Sequence, residues 1–173
     1  MARTSAKSSV VCDAGPIIHL DELGCLHLMR DFERVFVPDR VRQEVLQHRI
    51  IAFKGGDANW IEVSHRYPLE EPFRTMCRMF SLDAGEVAAL EILSREPDLI
   101  FLTDDAAARL VVTRLGFRVH GTIGVLVRAI RKGLVKPEEV IDVLNRVPLV
   151  STLHIKSSLL EEVISSVKQE YDL

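Results

Sequence analysis

The sequence is short of the features that announce several large classes of protein. No apolar run approaches the roughly 18 residues of a membrane span. Ala2 to Ser9 is polar and carries no apolar core ahead of a cleavage site, so no signal peptide is read there. Cysteine is scarce: Cys12, Cys25 and Cys77 are odd in number and show no metal-type spacing, which points to a reducing, cytoplasmic setting. Basic charge is not in excess. The net charge is −3, so the overall positive balance of many nucleic-acid binders is missing. There is no G-x-x-x-x-G-K-[ST] loop, which excludes a P-loop NTPase, and no G-x-S-x-G, which excludes a hydrolase elbow. The histidines form no H-x-x-x-H or other ligand spacing, and His19 and His27 read as half-buried polar positions among apolar helix residues.

What is present is a stretch that looks like the centre of an α/β protein. Leu99-Ile100-Phe101-Leu102 is an unbroken apolar run that ends on Thr103-Asp104-Asp105. Such a run reads as a strand buried on both faces, as in a parallel sheet. Ala106 to Leu115 then has helical spacing. An N-cap accounts for one of the adjacent carboxylates, and the second repels it unless a cation holds both. The rest of the chain alternates in the same manner. Strands are read at Ser9–Asp13, Val35–Val37, Trp60–Val63 and Arg118–His120. Helices are read between them, with breaks at Gly24 and Gly133. Leu82 to Glu86 opens a helix, Gly121-Thr122 opens another, and Pro137 starts a third. Val147 to Val150 reads as extended, and Ser158 with Glu161 as a capping box on the last helix. Alternation of this kind predicts an α/β fold with a mostly parallel sheet.

Acids recur at the element ends. Asp13 closes the first strand, and Glu44 lies on the helix after the second. Glu86 sits in the first turn of the helix before the central strand, which Asp104 and Asp105 close. Parallel strands send their carboxyl ends to one edge, where these acids converge. Carboxylates without His or Cys make a hard-oxygen site suited to Mg²⁺ or Mn²⁺ and hence to phosphodiester chemistry. Each acid also has an ordinary role open to it: an Asx turn at Asp13, a solvated helix face at Glu44, a capping box with Asp83 at Glu86. From Phe101 to Lys136, seven bases (Arg109, Arg114, Arg118, Arg128, Arg131, Lys132 and Lys136) face only two acids, giving a locally basic stretch suited to a polyanion or to a solvated pair of helix faces.

The stretches VVCDAGPIIHL, VPDRVRQEV, LDAGEVAALEIL and LTDDAAARLVVTRLGFRVHGTIGVLVRAIRKGLV occur in the order found in PIN-domain proteins, which the chain resembles. The branch is the PIN-like one related to VapC-type toxins. The resemblance implies a three-layer α/β/α fold with a nuclease domain over 9–136, and the polar residues 1–8 before it read as a flexible leader. A C-terminal helical extension over 137–173 packs on the same domain. It further implies a metal-dependent endoribonuclease cutting single-stranded RNA, the toxin of a type II toxin–antitoxin pair, with an antitoxin and a homodimer as partners and no membrane. By the same likeness Asp13, Glu44, Glu86, Asp104 and Asp105 are catalytic, and Asp13, Asp105 and Glu86 hold Mg²⁺ or Mn²⁺. By that likeness Thr103 and Thr122 contact substrate, and Arg109, from the basic stretch after the central strand, is read as holding the RNA backbone. Glu86 stands where many relatives carry Asp. Two other classes compete: a non-catalytic nucleic-acid or protein-binding module on the same fold, and a receiver-type phosphoacceptor. The second wants a Lys at the late strand end, where this chain has His120-Gly121-Thr122.

Overall fold

Short, fully apolar strands need cover on both faces, and the chain supplies it by alternating them with helices. The computed structural model describes residues 8–54, 59–64 and 68–173; most of the leader read over 1–8 lies outside them. In chain order the elements are β1 (Val10–Cys12), α1 (Ala14–Glu22), a 3₁₀ helix (Leu26–Asp31), β2 (Val35–Pro38), α2 (Asp39–His48), β3 (Trp60–Val63), α3 (Phe73–Met79) and α4 (Ala84–Arg95). They continue with β4 (Ile100–Leu102), α5 (Ala106–Arg114), β5 (Arg118–His120), α6 (Thr122–Arg131), α7 (Pro137–Val150) and α8 (Ser157–Glu170).

All five strands are parallel, in the order β3-β2-β1-β4-β5. The chain builds outward from β1 to β3, then returns to the other side of β1 for β4 and β5. The order therefore reverses between β1 and β4. Cys12 is level with Leu102, and Leu102 with His120. The ladder runs one residue further: Asp13 N–H donates to the Leu102 carbonyl and Thr103 N–H to the His120 carbonyl, each at 2.9 Å.

Alternate strand residues divide between two cores. Val10, Cys12, Val35, Val37, Ile100 and Leu102 pack with residues of α1, α6, α7 and α8. Val11, Phe36 and Phe101 pack with α4 and α5 on the other face. This is the three-layer α/β/α arrangement expected. The C-terminal helices give that first core Val140, Leu144, Leu160 and Val167. No helix among the described residues is long and apolar enough to cross a membrane.

Two local expectations are corrected. Val147–Val150 is helical, not extended: α7 runs through Pro148, because Val147 continues the buried stripe of Val140, Ile141 and Leu144. Ser158 caps nothing; α8 begins at Ser157 after Lys156, and no side chain caps it. Asp39 is the first residue of α2, with Pro38 before it. Gly24 does break the chain as read, at φ +71°, where a side chain would be strained.

Candidate active site

A helix that leads into a parallel strand runs antiparallel to it, so its N-terminus lies at the edge where the strands end. That places the start of α4 beside the ends of β1 and β4, at the point where strand order reverses. Ligands of open α/β sheets bind at such a point. The acids met there fall into two groups.

The first group lies toward β1, α2 and α4. Asp13 is 7% exposed and Glu86 5% exposed. Burial pushes Asp13 up to about 7; the negative charges of Asp83 and Glu44 add to it, while bonds from the Ala14 backbone and Thr103 oppose it. Burial likewise pushes Glu86 up to about 7, helped by Asp83, Asp13 and Asp105. Glu44 is raised by burial and by Asp83. Among the described residues no Lys or Arg forms an ion pair with Asp13, Glu44, Asp83, Glu86 or Asp105. Carboxylates crowded together without a cation are costly to keep charged, and the burial of Asp13 and Glu86 makes these two resist ionising most.

Local structure explains how these acids come so close. Asp83 and Glu86 form a reciprocal capping box: Glu86 N–H donates to Asp83 Oδ1 and Asp83 N–H to Glu86 Oε2, each at 2.8 Å. The ordinary role open to Glu86 is therefore real, and it does not exclude another, since the box leaves Oε1 over. Gly85 lets α4 approach α2; a Cβ there would stand 3.3 Å from Val41 and 3.5 Å from Glu44 Oε2. Asp105 is the N-cap of α5, its Oδ1 accepting from Ala108 N–H at 2.8 Å.

The second group centres on Asp104. Thr122 N–H donates to its Oδ1 at 2.8 Å, the Thr122 hydroxyl to its Oδ2 at 2.6 Å, and His19 Nδ1 lies 2.8 Å from Oδ2. Burial pushes the carboxyl up, but the bonds from His19 and Thr122 outweigh it and hold Asp104 below the usual range. Asp104 thus ties α1 and α6 to the end of β4. Gly121 is obligatory here, because a Cβ would fall 2.4 Å from Asp104 Oδ1 and 3.2 Å from Arg109 Nη1. Arg109 donates to the Thr103 carbonyl at 3.2 Å.

The threonines join the groups. Thr103 donates its hydroxyl to Asp13 Oδ2 and accepts from Asp105 N–H, both at 3.1 Å. Thr103 and Thr122 are fully buried, so their hydroxyls orient acids and do not face outward. The basic stretch does not form one face. Arg128 is tied to Asp31 and lies over the Phe32 ring, Arg131 pairs with Glu170, and Arg118 bonds the Asp98 carbonyl. Arg109 reaches the site; Arg114 ends α5 away from it.

The sequence reading passed over Asp83, taken only as a cap, and His19, taken only as a half-buried polar residue; His27 is exposed. A second acid three residues before Glu86 was a visible signal. The pairing of His19 with Asp104, 85 residues apart, had none.

The donor set is all oxygen and lacks a counter-charge, which fits a hard divalent cation. Among the described residues no three His, Cys, Asp or Glu side chains close around one point, so the fit is to an ion that keeps most of its water and takes few carboxylates. A family model, DUF3368, described as a PIN domain, matches residues 9–169. No curated protein matches the chain.

Proposed function

The chain belongs to the PIN-domain family, and from that premise we propose that the edge described above is the centre of a metal-dependent endoribonuclease acting on single-stranded RNA. PIN domains are generally nucleases and typically use Mg²⁺ or Mn²⁺. The observation that carries the proposal is the pair Asp13 and Glu86, buried, pushed up to about 7, and without a cationic partner among the described residues. Asp104, by contrast, has both oxygens engaged by His19 and Thr122.

In this reading Asp13, Glu86 and Asp105 hold the cation together with several of its own waters, Glu86 through one of those waters. Bound there, it supplies positive charge to the phosphate and acidity to water. Glu44 and Asp83 add the negative potential that draws it in. Asp104 is a positioning residue: with both oxygens occupied, it fixes α6, and Gly121 brings the Arg109 guanidinium beside it. Arg109 binds the RNA backbone. Thr103 orients Asp13 and the start of α5 together. Glu86, whose second oxygen lies outside the capping box, is the candidate to take a proton from the attacking water. A cytoplasmic toxin role belongs to the same proposal; an antitoxin would seat an Arg on the uncompensated carboxylates. The exposed Leu149 and Val150 offer a surface for a homodimer.

The test is cleavage of a random single-stranded RNA pool with Mn²⁺ and with chelator. The proposal expects cleavage only with metal and none by Asp13→Asn. A wild-type protein that binds RNA and never cuts it supports the non-catalytic module instead.

A further inference from the structure

Beside Asp104 the surface opens into a cavity of about 330 Å³ that the chemistry above leaves unused. Asp104 and Arg109 form its inner wall, so it is continuous with the proposed active site. His120, Ile123, His154 and Leu159 are among the rest of its lining. Its outer wall comes from the segment between α7 and α8. That segment is pinned: the Glu22 carboxylate at the end of α1 accepts from the Ser151 hydroxyl at 2.9 Å, from Thr152 N–H at 2.7 Å and from the Thr152 hydroxyl at 3.0 Å. The bonds from Thr152 and Ser151 outweigh burial and hold Glu22 below the usual carboxylate range. Glu22 is thereby a hook that holds Leu153, His154 and Ile155 in place over the opening.

We propose that this cavity receives one unpaired nucleobase of the RNA strand, next to the phosphate held by Arg109 and the acids. The inference rests on the nuclease reading above and adds a base-binding subsite to it. The chemistry of the walls carries it. A planar heterocycle takes flat or apolar partners on its faces and hydrogen bonds at its edge. Here Ile123 and Leu159 supply apolar surface, and the imidazoles of His120 and His154 supply planes with polar edges. Burial, with Arg109, Arg118 and Arg128 nearby, holds His120 toward its neutral form. A neutral ring stacks, and it accepts or donates a hydrogen bond without attracting a second phosphate. Gly124 keeps that ring against α6, since a Cβ there would lie 3.2 Å from His120 Cβ. Leu159 is 49% exposed at the lip, a large apolar side chain that the fold itself does not bury, while its neighbour Leu160 anchors α8 in the core. The cavity is also of the size at which small-ligand sites begin, about 300 Å³.

The experiment is equilibrium binding of a short single-stranded RNA, kept intact with chelator, against a set of the same strand in which one base at a time is replaced by an abasic sugar. Stacking of one base predicts a loss of about tenfold at one position and far less at the others. Leu159→Ala and His154→Ala, both on exposed residues, should weaken the intact strand and leave its abasic counterpart unchanged. Equal losses at every position, or variants that weaken intact and abasic strands alike, would overturn the subsite while leaving the nuclease reading standing. A wild-type protein that binds none of the strands, with or without Mn²⁺, would overturn both. The variants' melting temperatures show that each is folded.

Discussion

Asp13 and Asp104 close neighbouring strands of one sheet, yet their environments are opposite. Asp13 is buried among acids and pushed up to about 7; Asp104 is half-buried against His19 and Thr122 and held low. The difference teaches that a carboxylate's place on the sheet edge does not assign its work. What counts is whether the fold supplies the groups that make its charge tolerable. Asp104 has them within the chain and acts as a brace. Asp13 and Glu86 lack them, so whatever completes them comes from outside.

The contrast is sharpened most by removing each side chain from the metal-free protein. Asp104→Ala leaves Thr122 N–H and its hydroxyl without their acceptor, and should cost about 3 kcal/mol in denaturant unfolding. Asp13→Asn removes a charge that burial opposes, keeps an acceptor for Thr103, and should leave stability unchanged or raise it by about 1–2 kcal/mol. Equal losses for the two would erase the distinction. The brace can also be broken from outside itself: Gly121→Ala drives a methyl into Asp104 Oδ1 and should cost about 2 kcal/mol, read as a fall in melting temperature.

Acidity separates the two groups by sign. Asp13 and Glu86 have folded pKa values near 7, above their ordinary 3.8 and 4.5. Between these limits the folded state binds more protons than the unfolded one. The metal-free protein should therefore gain stability from this pair as pH falls from about 7 toward about 4, by about 1–2 kcal/mol. Asp104, held low, contributes the reverse and loses its share only in stronger acid. A thermal scan of wild type against Asp13→Asn between those pH values isolates the first effect. The smallest change is expected of Thr103→Val, about 1 kcal/mol for the two bonds it drops, with Asp13 made harder still to ionise.

Much of this was legible in the residues. The run Leu99–Leu102 reads as a strand covered on both faces, and the acids that follow β1 and β4 fall on the edge that parallel pairing dictates. Glu86 was legible for the same reason, as the start of a helix returning to that edge. What the residues did not display were the contacts between distant segments. His19 meets Asp104 from 85 positions away, and Glu22 reaches Ser151 from 129. Which of two adjacent aspartates would cap α5 and which would be braced is likewise decided by the packing of α6. Pro148 misled because a missing N–H says where a helix is weak, whereas burial of Val147 decides that it continues.

The central claim is that Asp13 and Glu86 await a divalent cation. It is tested most directly by calorimetric titration of Mn²⁺ into wild type, Asp13→Asn and the Asp13→Asn, Glu86→Gln double variant. The measurement is made at about pH 8 and about pH 5.5, on either side of the value at which the pair ionises. The account expects binding by wild type at the higher pH, marked weakening at the lower, and loss of binding in the variants. Equal Mn²⁺ binding by wild type and the double variant, at both pH values, would contradict it.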